Sequence, residues 1–366
     1  MIKQTVGDQI VSEVMSGTPV TGTLKGTKLL DSQFQALSDF YLSTGGPNWQ
    51  TSDGSAINGW TIDPATGANT GDDPCLGGGW GWRGVSCMDG SIVTLSLEAF
   101  GLSGPLPSNI GSMSSLKKLY LSYNNISGDF PASMSALTAL TEFDFSNNAM
   151  TGSFPDICGI TSPQDIRMSN NFLTGAVPSC MGNAAWTGLS ILRLNGNQFS
   201  GTIPTELSNL TSLSELDLSQ NAFTGSFPTW VTNQPSLTKV NIGSNMLSGG
   251  VPVLVGNVEE LIISDNDLSG DISDSFNFLP ELVTLEAARN NFAPFFPSFN
   301  QTTKIEKIDL GGNGLTDWAA NADFTLYVHT RTLTRARRNA SANRRSSSAF
   351  SCVCIWAYID RDVFLH

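Results

Sequence analysis

Side chains that carry out enzyme chemistry are scarce in this chain of 366 residues. Its two histidines, His329 and His366, both lie in the last 44 residues. The sequence has no Gly-x-Ser-x-Gly segment, no phosphate-binding glycine loop and no CxxC pair. Glu142 and Asp144 imitate the carboxylate pair of a glycosidase, but on a shallow, solvated sheet such acids are ordinary surface residues. We therefore expect no catalytic site, no cofactor and no metal site.

A repeated phrase must position every remaining candidate. "LYLSYNNISGDFP", which starts at residue 119, returns as "FDFSNNAMTGSFP" from 143 and as "LDLSQNAFTGSFP" from 216. Alternating apolar residues predict a short strand, and the Asn-Gly-Pro pattern after them predicts a turn. Ten units agree in phase over residues 92–318. Such regular repetition predicts a solenoid in which stacked units bury one continuous core.

Each unit has a marker asparagine, except that Phe100 takes its place in the opening copy. The marker stands at Asn124, Asn148, Asn171, Asn197, Asn221, Asn245, Asn266, Asn290 and Asn313. An amide is both donor and acceptor, so we expect this column to pair with the turn backbone of every unit. The glycine four residues later is expected to take backbone angles that other residues resist. Strands are expected at 95–97, 119–121, 143–145, 166–168, 192–194, 216–218, 240–242, 261–263, 285–287 and 308–310.

These residues resemble the plant-type leucine-rich repeat, LxxLxLxxNxLxGxIP. The resemblance implies an α/β solenoid, a right-handed superhelix with a parallel β-sheet on its concave face. "CLGGGWGWRGVSC" resembles the disulfide-bearing N-terminal cap of extracellular members. It implies that Cys75 pairs with Cys87 and that Trp80 and Trp82 fill the cap.

A second cysteine pair is expected from the stacking. Cys158 and Cys180 occupy nearly equivalent places on consecutive units, about 5 Å apart and within disulfide reach. Two buried thiols are the alternative. Paired cysteines favour an extracellular or cell-surface location. Sequons for N-glycosylation fit that location but are weak signals, and they fall at Asn125, Asn209, Asn300 and Asn339.

The sequence divides into four parts. A flexible leader (1–29) precedes a cap (30–91), whose helix is expected within 29–46 with Phe34, Leu37 and Tyr41 on one face. The repeats (92–318) precede a basic tail (319–366), expected to be disordered or an aberrant end. Residues 323–366 hold seven arginines against three acids, whereas the rest holds 12 basic and 29 acidic residues. So acidic a body does not favour nucleic acid as a partner.

The candidate binding residues lie on the concave face. The position between the second and third leucine places varies, whereas the next outward column is small and structural. We expect a ligand to contact the varied column at Tyr120, Asp144, Arg167, Arg193, Asp217 and Asn241. The alternative is a merely solvated face, in which Asp144 pairs with Arg167 and Arg193 with Asp217 across the units.

Three functions remain open. The first is an extracellular recognition module, such as a receptor ectodomain, that binds a protein, peptide or glycan. The second is an inhibitor of a secreted hydrolase, since polygalacturonase inhibitors share this repeat. The third is ice binding through a column of Ser and Thr that runs from Ser103 to Thr316. The chain begins without the apolar segment of a signal peptide and has no transmembrane run, so any membrane anchor is expected elsewhere in the gene product.

Overall fold

A computed structural model describes residues 29, 31–51, 53–57, 59–71, 73–75, 81–299, 301–302 and 304–315, together with the backbone of 325–327. The predictions on the leader, on Trp80, on Asn300 and Asn339, and on nearly all of the tail lie outside these residues. Within them, no helix is long and apolar enough to cross a membrane.

The described chain forms one α-helix, α1 (Asp31–Ser43), and many short strands. In chain order the strands are β1 (Val85–Met88), β2 (Ser91–Ser96), β3 (Ser103–Pro105), β4 (Lys118–Tyr120), β5 (Asn125–Asp129), β6 (Glu142–Asp144), β7 (Ala149–Thr151), β8 (Asp165–Arg167), β9 (Thr174–Gly175), β10 (Ile191–Arg193), β11 (Gln198–Thr202), β12 (Glu215–Asp217), β13 (Ala222–Ser226), β14 (Lys239–Asn241), β15 (Met246–Gly249), β16 (Glu260–Ile262), β17 (Asp267–Gly270), β18 (Thr284–Glu286), β19 (Asn291–Phe292), β20 (Lys307–Asp309) and β21 (Thr325–Tyr327). Short 3-10 helices take the other side of the repeats, at Ile110–Ser112, Ala132–Ala136, Ser179–Gly182, Ala184–Trp186, Thr205–Asn209 and Thr229–Asn233.

The strands form one long central sheet and a lateral layer beside it. The central sheet has the order β1-β2-β4-β6-β8-β10-β12-β14-β16-β18-β20-β21. From β2 to β20 every pair is parallel, and β1 and β21 add antiparallel strands at the two ends. The lateral layer consists of β3-β5-β7 and β19-β17-β15-β13-β11-β9. The fold is therefore the predicted leucine-rich-repeat solenoid, with 3-10 turns rather than α-helices opposite the sheet.

Two details of the strands differ from the sequence expectation. Nearly every central strand begins one residue earlier than predicted, at Lys118 instead of Leu119, for example. In addition, β21 lies within the segment expected to be a tail without structure, and there the chain pairs with β20 instead. An open sheet edge has unpaired N–H and C=O groups, and β21 covers those of β20.

The middle residue of each central strand points inward and forms the core. Leu119, Phe143, Ile166 and Leu192 are in register on consecutive strands and are each at most 1% exposed. The leucine and phenylalanine places of later units continue this core without a break. Each unit thus buries its apolar face only against its neighbours, as the repeat predicts.

The asparagine column connects each unit to the one before it. Nδ2 of Asn171 donates to the carbonyl of Phe145 in the preceding unit (2.9 Å) and to those of Met168 and Ser169 in its own. Its Oδ1 accepts from the N–H of Met150, again in the preceding unit (3.0 Å). The other eight marker asparagines repeat this pattern, which confirms their structural role. The following glycines, from Gly128 to Gly270, have φ between 77° and 90°.

The N-terminal cap seals the first unit with α1 and an aromatic cluster. Leu37 is fully buried and Tyr41 is nearly so, on the predicted helix face. Trp82 is 1% exposed, with ring centroids 4.8 Å from Trp60 and 5.8 Å from Phe34. These contacts fill the end of the core that the sheet leaves open.

Both expected disulfides form in the structure. Cys75 pairs with Cys87 in the cap, with 5.4 Å between the Cα atoms. Cys158 pairs with Cys180 on the next unit, at 5.7 Å. The second pair connects consecutive units on the side of the 3-10 turns, away from the central sheet.

Candidate functional site

The outward side chains of the central sheet form two rows, which we call the open face. In the row at the ends of the strands lie the predicted residues Tyr120, Asp144, Arg167, Arg193, Asp217 and Asn241, in register from β4 to β14. The row at their starts consists of Lys118, Glu142, Asp165, Ile191, Glu215 and Lys239. Sequence reasoning missed this second row, although strict alternation around Leu119 places Lys118 beside Tyr120 on one face.

The two arginines of the open face are held by acids of the missed row. Arg167 binds Asp165 on its own strand through Nε (2.8 Å) and Nη2 (2.7 Å). Arg193 binds Glu215 on the next strand, with Nε 2.7 Å from Oε1 and Nη2 2.9 Å from Oε2. Such two-point contacts fix the plane of a guanidinium.

The alternative pairing of Asp144 with Arg167 and of Arg193 with Asp217 is therefore wrong. Asp144 accepts from the N–H of Ser146 (2.8 Å), and Asp217 from the N–H of Ser219 (3.0 Å) and its hydroxyl (2.7 Å). These acids close the turn after the strand. In addition, Arg167 and Arg193 are direct neighbours on paired strands, and like charges there repel. Each arginine therefore binds an acid of the other row.

Tyr120 belongs to a separate network at the N-terminal part of the open face. Its hydroxyl donates to Oε2 of Glu142, and Nζ of Lys118 lies 2.8 Å from Oε1 of the same carboxylate. Burial, and then the bond to Glu142, raise the pKa of the Tyr120 phenol well above its usual range. Burial alone would raise the pKa of Glu142, but the bonds from Lys118 and Tyr120 outweigh it and lower that pKa.

A recess of about 260 Å³ opens over this network. It is lined by Glu98, Tyr120, Glu142, Phe143, Asp144, Asp165 and Arg167. The recess therefore brings together three of the predicted binding residues, whereas Arg193, Asp217 and Asn241 lie on the strands beyond it.

Burial disfavours the charged form of two carboxylates of the open face, Asp165 and Asp217. Burial raises the pKa of Asp165 even though Arg167 opposes the rise. Burial likewise raises the pKa of Asp217, whose bonds to Ser219 only partly offset it. Glu215 shows the reverse, because its bond to Arg193 lowers its pKa. No group of three or more His, Cys, Asp or Glu in the described ranges is placed to hold a metal ion.

The lateral layer does not align the Ser and Thr residues as an ice-binding row would need. Thr224 is paired in register with Thr202 on one side but with Met246 on the other. Ser103 is paired with Asn125. The register moves by two residues at each unit, so the hydroxyl column is staggered and interrupted.

The two described sequons differ in their surroundings. The Asn125 side chain is exposed on β5. Asn209 is also exposed, but its Nδ2 donates to the carbonyl of Gly182 in the preceding unit (2.9 Å). Glycosylation of the folded chain at Asn209 would disturb that bond, which leaves Asn125 as the more accessible of the two.

Comparison with known families agrees with this architecture. The Leucine Rich Repeat family model matches residues 115–137, 188–210, 212–234 and 257–279. These four segments of the chain are leucine-rich repeats. The matched segments belong to four units of the solenoid, and each includes the middle of one central strand. The first three also include the 3-10 helix of their unit.

This chain is similar to proteins that are named as plant receptors. It is 34% identical over 90 residues to Protein STRUBBELIG-RECEPTOR FAMILY 2 of Arabidopsis thaliana. These residues are 25% of this chain and 10% of the relative. The plant peptide hormone receptor RGFR1 in complex with RGF2 has 29% identity and a TM-score of 0.58, over 62% of this chain and 37% of that one. The chain thus spans a small part of the curated relative and about a third of the receptor chain.

A plant ice-binding protein has the same fold. Its structure gives a TM-score of 0.61 at 22% identity, and the match covers 81% of this chain and 100% of that one. At that identity the likeness concerns the fold alone.

Proposed function

We propose that this chain is a non-catalytic recognition module that binds a protein or peptide through the open face of its central sheet, outside the cell. The observation that carries the proposal is the row of Tyr120, Arg167 and Arg193 among acids on consecutive strands, half-exposed to solvent. Tyrosine and arginine are the side chains that most often anchor interfaces. A glycan, with its many hydroxyls, is the alternative ligand of the same face.

The rigidity of the face supports this role. Its strands are fixed from behind by the continuous core and by the asparagine column. Both arginines are held in fixed planes by two-point contacts. A surface that is ordered before binding loses little conformational entropy when a partner arrives, and it therefore binds more tightly.

Two further findings support an extracellular, receptor-like role. RGFR1, whose structure matches this chain at 29% identity, is a plant peptide hormone receptor in complex with RGF2. The two disulfides are typical of proteins that fold in an oxidising compartment. Together they favour an extracellular, receptor-like binding module over an intracellular scaffold.

The proposal is tested by capture from extracellular fluid on immobilised protein, followed by affinity measurement with the captured partner. The variant Tyr120→Ala with Arg193→Ala removes two anchors from the open face. Its control is Tyr123→Ala with Arg289→Ala, which removes the same side-chain types from exposed positions outside the two rows. We expect the first variant to lose at least about tenfold in affinity, which is 1.4 kcal/mol, and the control to bind normally. Equal affinities would refute the open face as the binding site.

The identity of the captured protein separates the two binding functions. A secreted hydrolase whose activity falls when it binds would favour the inhibitor, and a peptide or receptor partner would favour the signalling module. In either case the contact is expected on the same face, because both functions use the anchors described above.

A further inference from the structure

The charges around the recess differ in how fully they are paired. Arg167 is bound by Asp165, and Lys118 is bound by Glu142. These pairs leave the two cations beside the recess neutralised. They therefore offer little to the carboxylates of a ligand.

Two other acids of the recess have no such counter-charge. Asp144 accepts only a backbone N–H, from Ser146, and Glu98 accepts the hydroxyl of Ser122 (3.2 Å). Within the part of the chain that the structure describes, neither carboxylate forms an ion pair. The recess and its rim thus have four carboxylates against the two cations Lys118 and Arg167, an excess of two negative charges.

We infer that the open face binds a basic segment of its partner, with one lysine or arginine side chain seated in the recess. The inference rests on the proposed function and names the chemistry of its ligand. The ammonium or guanidinium group would bind Asp144 and Glu98, which lack a cation of their own, and would lie beside the Tyr120 ring. Charge-assisted hydrogen bonds and cation–π contact both favour such a group. An acidic segment would instead meet carboxylates at the recess, where Arg167 is already bound by Asp165.

The charges on the rest of the open face also favour a cationic ligand. On β12, Glu215 is used by Arg193, but Asp217 binds only the turn at Ser219. The body up to residue 322 holds 12 basic and 29 acidic residues, so its long-range field also attracts a cationic partner. That general attraction must be separated from binding in the recess, which determines the controls below.

The test uses the intact protein and a small probe in place of the unidentified ligand. The probe is an acetylated and amidated Gly-Arg-Gly-Arg-Gly peptide, and its twin has citrulline, the neutral isostere, in both arginine places. Binding is measured by calorimetry or NMR titration at about 0.15 M salt, where the field of distant charges is largely screened. We expect the arginine peptide to bind about tenfold more tightly than its twin.

The variant Asp144→Asn should remove most of that preference, and Glu98→Gln should weaken it further. The matched control is Asp271→Asn. Asp271 is exposed and, like Asp144, accepts the N–H of the serine two residues later at 2.8 Å. Both substitutions remove one charge and retain an oxygen acceptor, but only Asp144 lines the recess.

Three results would overturn the inference. The first is equal binding of the arginine and citrulline peptides, or no binding up to about 5 mM. The second is an equal loss in Asp144→Asn and Asp271→Asn, which would indicate general attraction to an acidic body. The third is tighter binding of a glutamate twin that Arg193→Ala abolishes. That third result would leave the open face as a binding site, and the capture experiment tests the proposed function separately.

Discussion

Arg193 on β10 and Glu215 on β12 connect two neighbouring strands of the open face through two parallel hydrogen bonds, 2.7 and 2.9 Å long. Their side chains are 38% and 22% exposed. The contact therefore lies at the edge of solvent, where ion pairs contribute modestly. It orders a candidate binding residue more than it stabilises the fold.

Replacing Arg193 with Gln should make the free energy of unfolding fall less steeply as the pH is lowered from neutral to acidic. The bond to Arg193 lowers the pKa of Glu215 below its ordinary value of 4.5, so the stability it contributes is present above that pH. It is lost as the pH falls through the lowered folded-state pKa. At pH 7 we expect a loss of about 0.5–1 kcal/mol, measured by urea unfolding. The difference between wild type and variant should shrink below about pH 4, and parallel profiles would contradict this assignment.

Replacing Asp217 with Asn should stabilise the protein slightly at neutral pH. Burial raises the folded-state pKa of Asp217, so its charged form costs stability above that pKa, and asparagine retains an acceptor for the Ser219 bonds. The gain, up to about 1 kcal/mol, should disappear as the pH falls through the raised pKa and the aspartate becomes neutral. Asp309→Asn is the control, since Asp309 occupies the equivalent place on β20 and binds the N–H of Gly311. A loss of stability in Asp217→Asn alone would contradict the argument.

Replacing Asn171 with Ala should destabilise the solenoid strongly. It leaves the buried N–H of Met150 without its acceptor, and an unpaired group of this kind costs about 1–3 kcal/mol. It also removes one of the two amide donors to the carbonyl of Phe145, which keeps the bond from Asn148. We expect a loss of at least about 2 kcal/mol in urea or thermal unfolding. The neighbouring change Asn170→Gly keeps the positive φ of 55° that Asn170 has and should cost less than half as much. Similar losses in the two variants would show that the ladder bonds are not the cause.

Ice-binding activity should be absent. The staggered register of the lateral layer places Met246 and Asn125 beside Thr224 and Ser103, which breaks the regular spacing of hydroxyls. We expect a thermal-hysteresis measurement on the purified protein to match that of a non-binding control protein at the same concentration. A clear freezing-point gap would refute this and would direct attention from the central sheet to the lateral layer.

The sequence was sufficient for the fold because its signals repeat. The leucine, asparagine and glycine places each recur in phase, so a wrong assignment of positions in one unit is corrected by comparison with the other units. The Cys158–Cys180 pair followed from the same stacking. The open face was predicted only in part. Its second row, including Asp165 and Glu215, was missed because the strands begin one residue earlier than the repeat template suggests.

The ion pairs of the open face could not be predicted from the columns alone. A long arginine side chain reaches acids on its own strand, as Arg167 does, or on the next, as Arg193 does. The choice depends on which acids the turns already use. Asp144 and Asp217 are held by turn N–H groups, and that competition is visible only in the folded chain.

The asparagine column also determines the order in which the units of the solenoid can complete their hydrogen bonds. Each marker amide completes the turn of the unit before it, as Asn197 does when its Oδ1 accepts the N–H of Leu173. On the ribosome, a unit therefore becomes fully bonded only after the next one has emerged. The cap precedes the repeats in the chain and gives the growing stack a closed end, so folding is expected to follow synthesis one unit behind.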